Sequence, residues 1–222
     1  ASILRYPSAA EDDSRQNTVK LKDISFAGAK AVIGFIGAGN FTKMTILPAL
    51  KDSGAILKYI SSSGGVSSAA MAKKYGFSNN TTDYKQILND PEVDTVFITT
   101  RHNSHEKLVI ESLKAGKNVF VEKPLAINDD QLKRVINVYN DLSENSNTAT
   151  VNVGFNRRFS PHTKAIKKSI GDKLGPINII ATMNAGYIPP QMWVHDMEIG
   201  GGRIIGEACH YMDLCLYLTG SE

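Results

Sequence analysis

Cysteine is scarce in this chain. The 222 residues hold two, Cys209 and Cys215. Six positions apart on one predicted helix, they point in different directions and cannot pair locally. Neither a CxxC redox pair nor a metal knuckle is present. Two free thiols suit a reducing, cytoplasmic compartment. Charge of one sign is also scarce: 25 Lys and Arg stand against 22 Asp and Glu, a formal net charge of +3. The basic residues are scattered, which argues against nucleic acid or an anionic membrane as a partner. No apolar run approaches the roughly 18 residues of a transmembrane span. No charged-then-apolar leader follows the first residue, Ala1, and the missing Met suggests a piece of something longer. What is there, 42% apolar and 21% charged, has the proportions of a globular protein. The length allows one full domain and part of a second.

Residues 1–30 are poor in structural signals and are read as a linker or tail. Glu11–Asn17 is turn-like, and Val19 and Leu21 alternate with Lys20 and Lys22 as a short edge strand would. From Ala31 the pattern changes. Strands are expected over Ala31–Ile36, Ala55–Ile60, Thr95–Thr100, Asn118–Val121 and Val151–Phe155. Helices are expected over Phe41–Lys51 (kinked at Pro48), Ser67–Tyr75, Asp83–Leu88, Ser104–Ala115 and Asp129–Leu142, the last capped by Asn128. This alternation predicts an α/β fold, a doubly wound parallel Rossmann sheet over residues 31–156. Beyond it, Pro161–Ile170 reads as a helix, Ile177–Met183 as a strand, and Gly206–Leu218 as a helix behind Gly200-Gly201-Gly202. One strand and its helices cannot cover a sheet, so residues 157–222 are expected to be the start of a truncated substrate or oligomerisation domain.

The loop Gly37-Ala38-Gly39-Asn40-Phe41-Thr42 follows a strand and opens a helix, the setting of a dinucleotide fingerprint. Gly37 permits the tight turn, and Gly39 lets a pyrophosphate approach the backbone at the positive end of the helix. Thr42 stands where a third glycine would support close packing. The second strand ends in Ser61, Ser62 and Ser63, with no carboxylate for the ribose hydroxyls of NAD and no arginine for the extra phosphate of NADP. The absent negative charge tilts the expectation slightly toward NADP, with NAD the alternative.

Glu122 and Lys123 end the strand Asn118–Val121, where open parallel sheets bind ligands. Beside a cationic nicotinamide a lysine releases its proton more easily, because like charges disfavour protonation. Lys123 could then take the hydroxyl proton while hydride leaves the same carbon. The Lys123–Pro124 bond is a candidate for the cis form. On the last helix His210 is a second candidate, with Glu207 or Asp213 three residues away to orient its ring. The glycine triplet before it suggests backbone close to a ligand or another chain. A metal held by Glu207, His210 and Asp213 is not expected, since no further ligand cluster accompanies them.

Taken in order, these segments resemble the glucose–fructose oxidoreductase, inositol dehydrogenase and MocA family. The resemblance rests on Gly37–Asn40, on Thr99-Thr100 with His105, on Glu122-Lys123-Pro124, on Asn156-Arg157-Arg158-Phe159, and on Gly200–Gly202 with His210–Asp213. It implies a Rossmann domain followed by an α/β domain with a mainly antiparallel sheet, and NAD(P)-dependent oxidation or reduction of a sugar, nucleotide-sugar or cyclitol. Lys123 matches the family's active-site lysine and His210 its histidine. Gly37, Ala38, Gly39, Asn40, Phe41, Ser61, Ser62, Ser63, Thr99, Thr100, Arg101, His102, Asn103, His105, Glu122 and Lys123 are the expected cofactor contacts. Arg157, Arg158, Trp193 and Asp213 are the expected substrate contacts, one of the arginines holding an acidic or phosphorylated group. The chain looks most like a subset fused behind a zinc-type alcohol dehydrogenase domain in proteins of surface polysaccharide synthesis, and family members often self-associate as homo-oligomers. In many members a carboxylate stands four residues before the histidine. That position is Gly206 here, and Glu207 is one step closer. A non-catalytic nucleotide-binding or assembly module is the rival expectation.

Overall fold

In a computed structural model, residues 17–23, 31–171, 175 and 177–221 are described. Most of the expected linker, including the acidic turn at 11–16, lies outside them. All five residues of β2 (Val32–Ile36) are buried. Only a central strand covered on both faces can hide every side chain. Its neighbours are β3 (Ile56–Ser61) and β5 (Thr95–Ile98), and the sheet runs β1-β4-β3-β2-β5-β6-β7. Here β4 is Asn79–Thr81, β6 is Asn118–Val121 and β7 is Val151–Val153. All pairs are parallel except that of β1 (Thr18–Lys20), which lies antiparallel on the β4 edge. The short edge strand suggested by alternation around Val19 is thus formed.

Alternate residues of the strands build two cores. On one face Val32, Ile36, Val96, Ile98, Val119 and Val121 pack with Ile87, Leu88, Leu108, Val109, Leu113 and Val135 of helices α3 (Lys85–Asn89), α4 (His105–Lys114) and α5 (Asp129–Glu144). Asn128 caps α5 by accepting from the Gln131 amide. On the other face Ile33, Phe35 and Ile60 meet α1 (Leu47–Leu50) and α2 (Val66–Tyr75). There the parallel register sets Phe35 beside Phe97 and Phe97 beside Phe120. The three rings stack in a row with centroids 4.8 Å apart at each step. Phe77 closes the end, edge-on to Phe35 at 5.7 Å.

Several expected elements differ in detail. The helix foreseen from Phe41 is a wide five-residue π-turn, Thr42–Ile46, that passes into α1, with Pro48 in the first turn of α1 where its missing N–H is not needed. β5 stops at Ile98, so Thr99 and Thr100 leave the strand toward the site. The last helix begins as a second π-turn, Ile204–Ala208, before α7 (Cys209–Thr219). Helix α6 (Pro161–Ile170) forms as read, its Ser160 cap accepting from the Thr163 amide. The expected strand Ile177–Met183 is not formed. No partner strand lies beside it among the described residues, and Ile180 is 92% exposed. A strand without a neighbour has no ladder to join. No helix among the described residues is long and apolar enough to cross a membrane. Phe35 is fully buried between two aromatic contacts. Phe35→Ala should therefore cost about 3–5 kcal/mol of unfolding free energy, read from urea denaturation.

Candidate active site

The chain builds β2, β3 and β4 outward in one direction, then returns to add β5, β6 and β7 on the other side of β2. The reversal opens a crevice beyond the carboxyl ends of β2 and β5, the place where such sheets take ligands. Gly37 turns there with φ +116°, and a Cβ on it would lie 2.7 Å from the Thr99 carbonyl oxygen. Its amide donates to the Ser61 carbonyl at 2.9 Å. Thr99 donates through Oγ1 to the Gly37 carbonyl at 3.1 Å and accepts from Thr42 Oγ1 at 2.7 Å. Thr42 is fully buried, so a hydroxyl bridge does here what a third glycine would do by close contact. The π-turn coincides with this larger residue.

Nothing stands within 4 Å of the position a Cβ on Gly39 would take. The first-turn amides beyond it have no helical acceptors. This loop fits a dinucleotide diphosphate: open ground before Gly39, bare amides at Asn40 and Phe41, and a helix N-terminus behind them. Ser61 is buried and meets the loop through its carbonyl; Ser62 donates to Ser68 Oγ at 2.8 Å, and Ser63 is exposed.

A crevice of about 370 Å³ continues from this loop, lined by residues that include Phe41, Thr99, Thr100, His102, Glu122 and Lys123 on one wall and Trp193, Glu207 and His210 on the other. The Lys123–Pro124 peptide is cis. Lys123 Nζ donates to the Gly206 carbonyl at 2.5 Å and lies 3.5 Å from Glu207 Oε1. The π-turn widens the helix at this point and so turns Glu207 toward the lysine, although its spacing from His210 is one short of the usual four. Burial pushes the Glu122 carboxyl up to about 7, against the pull of the Lys123 charge, and its Oε1 is buried without a partner. Burial, then the charges of Lys123 and Arg157, push His210 down to about 4; its Nδ1 also lacks a partner.

Other expected contacts are placed differently. His105 is fully buried, with Nδ1 2.7 Å from the Pro124 carbonyl and Nε2 3.2 Å from the Thr100 carbonyl. It braces the lysine segment from behind and cannot touch a cofactor. His102 lines the crevice, its Nδ1 2.8 Å from the Gly200 carbonyl. Arg101 and Asn103 are exposed at the mouth; Asn103 donates its amide to the Ile199 carbonyl at 3.0 Å. Trp193 sits edge-on to His102 at 4.8 Å, with the Arg101 guanidinium 5.6 Å from its ring. Asp213 does not orient His210. It is buried and takes both Nε and Nη2 of Arg158, so its carboxylate is spent and the Arg158 charge is offset. The glycine triplet serves packing and not ligand approach: a Cβ on Gly200 would lie 2.7 Å from the Trp193 carbonyl oxygen, and one on Gly201 2.9 Å from Ile127. Among the described residues no cluster of three His, Cys, Asp or Glu is placed to hold a metal. Sequence reasoning marked Gly206 and Thr42 as departures but foresaw neither the Gly206 carbonyl as the acceptor for Lys123 nor the Thr42–Thr99 hydroxyl bridge. Only the displaced Glu207 hinted at the former, since a π-turn leaves no mark in residue type.

Residues 31–153 match the sequence profile of the oxidoreductase family with an NAD-binding Rossmann fold that takes its name from glucose–fructose oxidoreductase, inositol dehydrogenase and MocA. The chain belongs to this family. Family relatives include myo-inositol 2-dehydrogenase of Thermotoga maritima, 30% identical over 86% of this chain and 55% of that protein. Inositol 2-dehydrogenase of Rhizobium meliloti is 29% identical over 85% and 55%. Among solved structures, a levoglucosan dehydrogenase in complex with NADH and levoglucosan superposes with a TM-score of 0.69 at 25% identity, over 86% of this chain and 54% of that one. The chain thus spans about half the length of the relatives it matches.

The two perturbed groups oppose each other. Glu122 keeps its proton in the fold above its ordinary 4.5, so its contribution to stability falls as pH rises from 4.5 toward 7. His210 stays neutral in the fold below its ordinary 6.5, so its contribution falls as pH drops from 6.5 toward 4. Glu122→Gln removes the first slope alone. Its melting temperature relative to the parent should climb steadily between about pH 5 and about pH 7; a constant difference would show that Glu122 does not titrate in this window.

Proposed function

We propose that residues 31–156 bind a nicotinamide dinucleotide and that residues 157–222 begin the unit that faces its substrate, together forming part of a dehydrogenase acting on a sugar or cyclitol hydroxyl. The single observation that supports this reading is the shared crevice: the Lys123 amine, held by Gly206 and Glu207, opens onto the same space as Phe41 and Thr99, which end and brace the glycine loop. A bound nicotinamide would supply the hydride acceptor for oxidation and the hydride donor for reduction at the substrate carbon. Lys123 Nζ takes the hydroxyl proton in oxidation and returns it to the carbonyl oxygen in reduction. Glu207, more exposed than Lys123 at 29% against 14%, positions Nζ and offers the proton a way to solvent. Neutral His210 hydrogen-bonds the reacting oxygen or its neighbour. Trp193 supplies an apolar wall for the sugar ring. We place the protein in the cytoplasm, where its two free cysteines stay reduced.

Lys123→Ala should reduce turnover on a panel of polyols and sugars at least 100-fold or so. It should leave NADH affinity within a few-fold, measured by energy transfer from Trp193. An affinity that collapses with the lysine would assign it to binding instead. NADH binding without turnover of any sugar would favour the assembly-module reading. Gly39→Val should abolish binding of NADH and NADPH alike. With neither carboxylate nor arginine in Ser61–Gly65, the parent should bind the two within about tenfold of each other, about 1.4 kcal/mol.

A further inference from the structure

Arg157 and Arg158 are neighbours in one short 3-10 turn, Asn156–Phe159, yet only one has a counter-ion. Arg158 is neutralised by Asp213. Arg157 has no carboxylate partner among the described residues; its guanidinium lies 5.0 Å from the Tyr211 ring, and its Nε is buried with no acceptor. A buried donor of a charged group without an acceptor is costly, so the protein has reason to complete it with a ligand.

The place of that ligand follows from the fold. The turn comes after β7, three strands from β2 in the sheet order. At about 4.8 Å per strand its backbone lies roughly 14 Å from that of the diphosphate loop, toward the other end of the crevice. Asn156 lines the crevice, the Phe155 ring stands edge-on to His210 at 6.2 Å, and the Arg157 charge is felt at His210. No other group there offsets it. Glu207 is committed to Lys123, and Asp213 to Arg158. Glu122 is largely protonated below pH 7, and His210 is neutral.

We infer that Arg157 recognises an oxyanion carried by the substrate, so that the crevice is built for an acidic sugar, a uronate or a sugar phosphate, in preference to an uncharged polyol. The inference rests on the dehydrogenase reading of the same crevice. A carboxylate or phosphate takes two guanidinium N–H groups side by side, which would fix the sugar at one end and leave a hydroxyl for Lys123 at the other.

The test is calorimetric binding of D-glucuronate, D-glucose 6-phosphate and D-glucose to the NADH-loaded protein. At least one acid should bind about 10- to 100-fold tighter than glucose, and which one does distinguishes carboxylate from phosphate. Arg157→Met should erase that preference without changing NADH affinity, and Arg157→Lys should restore part of it. Acids that bind no better than glucose, including no detectable binding of either at millimolar concentration, overturn the inference. So does a preference that survives in Arg157→Met. A parent protein that fails to bind NADH overturns the dehydrogenase reading itself, a result independent of Arg157.

Discussion

Gly37 turns against the carbonyl of Thr99 at a distance no side chain would allow, and Thr99 answers by bonding its hydroxyl to the Gly37 carbonyl while accepting from Thr42. This contact joins the ends of the two strands between which the sheet reverses direction. The glycine loop is aimed by it, because the amides beyond Gly37 point where the turn sends them. The crevice wall follows too: Thr99 and Thr100 leave β5 here, and the His105 ring lies between the Thr100 and Pro124 carbonyls, 3.2 Å from one and 2.7 Å from the other. Through that histidine the backbone behind Lys123 is tied to the same junction as the cofactor loop.

The crevice holds several charges that the fold treats differently. Lys123 is shared between a main-chain carbonyl and Glu207, Arg158 is offset by Asp213, and burial keeps His210 neutral and lifts the Glu122 carboxyl to about 7. The balance leaves hydrogen-bonding capacity unspent at Glu122 Oε1, His210 Nδ1 and Arg157 Nε. Unspent capacity in a buried place is what a ligand-binding surface requires, and these three atoms lie on the walls of one crevice and in the turn beside it, while Ser78 Oγ and Asn80 Oδ1 carry the same want at the far edge of the sheet.

The Rossmann half was legible because its signals are local. Val32–Ile36 reads as a buried strand, Gly37 and Gly39 punctuate it, and Asn128 announces α5. The strand Asn79–Thr81 was not read, because two of its three residues are asparagines, which carry turn propensity and pair only since β3 and β1 flank them. Ile177–Met183 shows the reverse: apolar spacing that promises a strand without a neighbour to realise it. Site residues divide the same way. Lys123 and the loop glycines stand where motif and topology agree. His105 and Asp213 carry suitable chemistry, but tertiary packing spends it on Pro124, Thr100 and Arg158, which spacing along the chain does not disclose.

Two helices of this protein open with a five-residue π-turn, and each does so beside a residue out of step with the pattern around it: Thr42 in place of a glycine, and Glu207 one position late. Such a turn absorbs one extra residue without disturbing the helix that follows. Sequence spacing and spatial phase therefore part company within it. A carboxylate that looks misplaced when positions are counted still arrives at the lysine, so in this segment the residue number alone does not tell which side chain faces the crevice.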